Sequence, residues 1–182
     1  MKSVLLAIDP GASGGIAILG GGSVGAEAYA MPATPKDVCD LITVAKVSAE
    51  MNELPIKCYM EEVGGFAGVG QPGSAMFNFG RGFGNLEGFL IAHGIVFELV
   101  RPQRWQKGVG LNFPPVHKGA YDPTMSHSEK VAEKKRVTNL NSARKRDNKN
   151  RMKEMAQRLY PEIKVTLATA DALLILHYAT NL

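Results

Sequence analysis

A chain of 182 residues leaves room for one hydrophobic core rather than two, at about 150 residues per domain, and 45% hydrophobic with 21% charged residues excludes a disordered or fibrous chain. The first apolar stretch, Val4 to Ile8, is broken by Asp9 and falls far short of the roughly 20 residues of a bilayer span, so a chain neither secreted nor membrane-spanning is expected. The net charge of +4 is unevenly spread: Lys118 to Tyr160 holds 12 Lys+Arg against 5 Asp+Glu, while the remainder holds 9 against 12. Such a basic segment is the footprint of phosphate-backbone binding, or simply a solvated helix face. Cys39 and Cys58 are too few for a disulfide framework and lack metal-ligand spacing. Free thiols in a reducing compartment, the cytoplasm or an organelle matrix, are expected.

Val4 to Ile8 is a continuous apolar run closed by Asp9-Pro10-Gly11, the pattern of a strand buried on both faces. Gly14 to Leu19 and Val24 to Met31 continue it as an antiparallel meander, with Gly20-Gly21-Gly22-Ser23 as the hairpin turn. Thr34 is an N-cap followed by Pro35, with Asp37 closing a capping box, and Val38, Leu41, Ile42, Ala45 and Ala49 carry a helix to about Asn52. Pro55 to Val63 is a strand that ends in acids, and a glycine-rich loop follows from Gly64 to Gly73. Ser74 to His93 reads as a helix in which Gly80, Gly84 and Gly88 form a smooth ridge. Each costs about 1 kcal/mol, so close packing against that ridge is expected, by a second copy of the chain or by the sheet.

Ile95 to Val100 is a further strand, and Pro102 to Gly108 a short helix with the sole tryptophan, Trp105. Leu111 to Asn141 lacks sustained periodicity and is expected to be a mobile basic loop, an insertion around residues 112–142 of a single domain. Arg144 to Leu159 is a basic helix, with Arg144, Lys145, Arg146, Lys149, Arg151 and Lys153 as candidate phosphate contacts. Thr169 to Asn181 is an apolar helix with Asp171 in its first turn. The order predicts an α/β fold: a five-stranded mixed sheet, meander plus parallel strands, flanked by helices.

Three acids stand where core meets loop: Asp9 ends the first strand, Glu61 the fourth, and Asp171 opens the last helix. Taken singly, Asp9 suits a turn before Pro-Gly and Asp171 suits the positive end of a helix. Neighbouring strands of one sheet would bring Asp9 and Glu61 together, and carboxylates held so close call for a cation. Hard divalent ions take such oxygen ligands, and a pair of them can activate water for phosphodiester cleavage.

Ala7-Ile8-Asp9-Pro10-Gly11 with Gly14-Gly15-Ile16-Ala17, then Tyr59-Met60-Glu61-Glu62-Val63, then Ala170-Asp171-Ala172-Leu173-Leu174, resembles the RuvC-type Holliday junction resolvases, especially their phage and chloroplast relatives. The resemblance runs in order along most of the chain. It implies a ribonuclease H-like fold and a homodimer that nicks four-way DNA junctions with Mg²⁺ or Mn²⁺, two ions per site. Asp9, Glu61 and Asp171 would be the catalytic metal ligands, and Gly80, Gly84 and Gly88 would lie in the dimer interface. Phe66, in the loop after the glutamate, would face the junction centre, with Arg104 and Lys107 as further DNA contacts. One departure stands out: where the family carries a fourth Asp or His, one turn before the last Asp, this chain has Ala168. A ribonuclease H-type enzyme on RNA/DNA hybrids and a catalytically weakened junction binder use the same residues and stay open. An actin-like kinase would need a second half.

Overall fold

The structure is a computed structural model that describes residues 3–20, 25–64 and 72–182. Strands β1 (Val4–Asp9), β2 (Gly15–Leu19) and β3 (Ala26–Ala30) form the meander. Helix α1 (Pro35–Met51) leads to β4 (Ile56–Glu61), and α2 (Gly73–Ala92) leads to β5 (Val96–Val100). Helices α3 (Pro102–Gly108), α4 (His127–Leu159) and α5 (Ala170–Thr180) follow. The sheet order is β3-β2-β1-β4-β5, with β1, β4 and β5 parallel and the meander antiparallel, which is the mixed sheet the element order predicts.

Central β1 is apolar throughout because both faces are covered. Leu6 and Ile8 on one face pack with Val38, Ile42 and Ala45 of α1 and with Leu86 and Leu90 of α2. Ala7 on the other face packs with Tyr59, Trp105 and α5. Nine of the 11 residues of α5 are buried, which explains its lack of a polar face. Helix α1 starts as its sequence directs: Thr34 Oγ1 accepts from the Asp37 amide at 3.2 Å and donates to the Asp37 carboxylate at 2.7 Å.

Two expectations are corrected. The loop expected over residues 111–141 is helical from His127, and α4 runs unbroken for 33 residues to Leu159. Its start is a full capping box: Ser126 accepts from the Glu129 amide, and the Glu129 carboxylate accepts from the Ser126 amide. The residues before it lie as a strap along the helix, where Arg144 donates to the Pro114 carbonyl at 2.9 Å and the His117 amide donates to Asn141 at 2.9 Å. The Ala120 amide donates to Glu133 at 3.0 Å. The glycine ridge of α2 is also not packed on the sheet. A Cβ added at Gly80, Gly84 or Gly88 meets nothing within 4 Å in this chain, because α2 turns Leu86 and Leu90 inward and leaves the ridge outward.

Candidate functional site

The register of β1 on β4 pairs Ala7 with Tyr59 and Ile8 with Met60, so Asp9 and Glu61 leave the sheet side by side. Alternation gives Asp9 the face of Ala7 and Glu61 the face of Tyr59, the side covered by α5. Glu62 takes the other direction and pairs with Arg101 at 3.1 Å. Two glycines permit the close approach. A Cβ at Gly14 would stand 2.1 Å from the Asp9 carbonyl oxygen, and one at Gly15 would stand 2.6 Å from the carbonyl oxygen of Ala168, in the turn ahead of α5. That contact seats the first turn of α5, and with it Asp171, over the end of β1.

Burial and mutual repulsion dominate the electrostatics. Asp9 is 9% exposed and Asp171 6%. Burial first, then the charges of Asp171 and Glu61, push the Asp9 carboxyl up to about 7, against a smaller opposite pull from Lys149. Burial also raises Glu61, while the indole N–H of Trp105, donating to Glu61 Oε2 at 2.9 Å, acts against it. The cation among these acids is Lys149, whose Nζ donates to Asp171 Oδ2 at 2.5 Å. Burial lowers the Lys149 ammonium pKa, but Asp171, Asp9 and Glu61 outweigh it and leave it raised. The other Asp171 oxygen, Oδ1, is buried and without a hydrogen-bond partner.

The expected triad is thus brought to one place but is not drawn in around a common point. Among the described residues, no group of three or more His, Cys, Asp or Glu side chains stands in metal-holding geometry. The donor set still fits a hard divalent cation by its chemistry: all oxygen, mutually repulsive, with one buried oxygen left unpaired. Trp105 and the inward turn of Lys149 were missed from sequence. The sole tryptophan four residues into a segment after β5 was visible; its partner across the sheet was not.

The remaining expected residues divide. Lys145, Arg146 and Lys153 are exposed on α4, and Lys107 is exposed on α3. Arg144 is half-buried against the strap and Arg151 lies over the Phe113 ring at 5.4 Å, so these two hold the strap rather than a free surface. Arg104 pairs with Glu98 at 3.2 Å. Phe66 lies outside the described residues.

The sequence matches no protein-family model and no curated protein. Solved structures do match: Thermus thermophilus RuvC in complex with its Holliday junction substrate aligns with a TM-score of 0.50 at 12% identity, over 99% of this chain and 96% of that one. The fold is that of RuvC, a ribonuclease H-like fold. A second Thermus thermophilus RuvC structure aligns at 0.46 and 12% identity, over 98% of this chain and 95% of that one. The order and lengths of the elements thus follow RuvC almost from end to end, and the three acids fall where β1, β4 and the last helix of that fold meet. No described helix is long and apolar enough to cross a membrane.

Proposed function

We propose that this chain is an endonuclease that resolves four-way DNA junctions by paired, metal-dependent nicks. One observation carries the reading: on a RuvC fold, Asp9, Glu61 and Asp171 meet at one sheet edge in a buried, mutually repulsive cluster. Asp9, Glu61 and Asp171 would hold Mg²⁺ or Mn²⁺, which when bound as a pair supplies an activated water and neutralises the leaving oxygen. The chain's own residues prepare the site. Trp105 fixes one oxygen of Glu61, and Lys149 holds Asp171 in place and offers its ammonium to an incoming phosphate.

Two nicks need two sites, and the outward face of α2 is the proposed contact between copies. Phe77 and Ile91, 68% and 67% exposed, flank the open ridge of Gly80, Gly84 and Gly88 on one helix face. Ala168 qualifies the chemistry: the turn ahead of α5 offers a methyl group where a fourth ligand would stand, so cleavage by this chain is expected to be slow.

The test is cleavage of a synthetic four-way junction beside linear duplex and an RNA/DNA hybrid, with Mg²⁺ and with Mn²⁺. Junction-selective nicking that Asp9→Asn removes while binding survives is the expected result, with a faster rate for Ala168→Asp. Preference for the hybrid would transfer the site to ribonuclease H-type chemistry. Binding without cleavage in every variant would make the chain a junction binder.

A further inference from the structure

Helix α4 does two different things along one face. Lys149 touches Asp171 in the first turn of α5, and Tyr160, at the other end, meets His177 in its last turn with ring centroids 6.5 Å apart. The two helices therefore run side by side in the same direction, and α4 residues 127–148 continue past the start of α5, beyond the sheet edge where Asp9 and Glu61 emerge. The buried residues of α4, Met152 and Ala156, both follow Lys149, so the first two thirds of the helix bury nothing.

The charges on that projecting part are sorted by face. Lys134, Thr138, Ser142, Lys145 and Lys149 follow one another at spacings of three or four residues, with Lys135 beside them, in one row along the helix. This is the row that, past Lys149, becomes the Met152 and Ala156 contact with α5. The acids Glu129, Glu133, Asp147 and Glu154 fall about half a turn away at about 100° per residue. The strap from Pro114 to Ala120 binds Glu133, Asn141 and Arg144, away from the basic row. Lys134, Lys135, Thr138, Ser142 and Lys145 line the row, and none of its three lysines before Lys149 has an ion-pair partner among the described residues.

We infer that the projecting half of α4 is a duplex-tracking arm: its lysine row lies on the phosphate backbone of the DNA arm that leaves the active site. The inference rests on the junction reading above and adds where the substrate runs. Small hydroxyl residues between the lysines let a backbone approach closely, and the acids turned to the opposite side keep repulsion away from it. At about 1.5 Å per residue, Lys134 stands about 22 Å from Lys149, which at about 3.4 Å per base pair is about six to seven base pairs from the cut. The strap braces a helix that would otherwise fray in water, because an isolated polar helix of this length has no core to hold it.

The experiment measures binding of a labelled junction across a salt series for the full chain, for Lys134→Ala/Lys135→Ala and for Arg136→Ala. Arg136 pairs with Glu133 on the far side of the helix and so is a matched removal of charge off the row. Removing two lysines that each neutralise a phosphate should flatten the slope of log K against log salt by about 1.8, at about 0.9 each, with no change for Arg136→Ala. A second readout is arm length: wild-type affinity should fall once the junction arms are cut below about six base pairs, and the double variant should be indifferent to that trimming. An unaltered slope, or an equal flattening in Arg136→Ala, overturns the arm. A charge-position effect of the same size on linear duplex, with no preference for junctions, supports the arm and overturns the junction reading instead.

Discussion

Replacing Asp9 by Asn removes a charge that the folded chain holds at a cost when no metal is present. The Asp9 carboxyl is raised from 3.8 to about 7 by burial and by the nearby Asp171 and Glu61. Between those two values the folded chain keeps a proton that the unfolded chain releases, so stability falls as pH rises through this window and levels off above about 7. At about 1.36 kcal/mol per pKa unit, discounted for relaxation of the site, the ionised side chain costs about 2 to 4 kcal/mol at pH 8. Asn has the shape of the protonated acid and avoids that cost. For a chain of this size about 1 kcal/mol moves Tm by about 2 to 4 °C, so Asp9→Asn should melt about 4 to 16 °C above wild type at pH 8 in chelator and close to it at pH 4. Differential scanning calorimetry at both pH values is the assay. An equal shift at the two pH values, or a lower Tm at pH 8, would refute a buried, repulsive cluster.

Two further predictions concern the frame around it. Trp105→Phe removes the N–H that reaches Glu61 Oε2 and some volume from a fully buried position; a loss of about 2 to 4 kcal/mol in urea unfolding is expected, and an unchanged midpoint would place the indole outside the core. Gly84→Leu has open space at its Cβ, so the folded monomer should gain up to about 1 kcal/mol from helix propensity while sedimentation shows the loss of a dimer. A dimer of unchanged strength in that variant would move the contact off the α2 ridge.

The local signals that proved readable were those in which a short stretch carries its own physical reason. Val4 to Ile8 has no polar side, and a strand so composed must be covered on both faces, which makes it central. Thr34-Pro35 starts α1, and the apolar α5 could lie only within the core. Helix α4 escaped because its first two thirds bury nothing: without an apolar stripe there is no period to read, and only the Ser126–Glu129 cap and a helix-favouring composition spoke for it. The acids of the site were visible as acids at strand ends, and parallel pairing of adjacent strands is enough to join Asp9 to Glu61. What joins Asp171 to them is the seat of α5 on Gly15 and Ala168, a contact between segments more than 150 residues apart that no local pattern encodes. The same holds for Lys149, which reads as one more surface cation in a basic helix. Its placement among three carboxylates depends on where α4 crosses α5, and that is set by how Met152 and Ala156 pack, a property of the whole core.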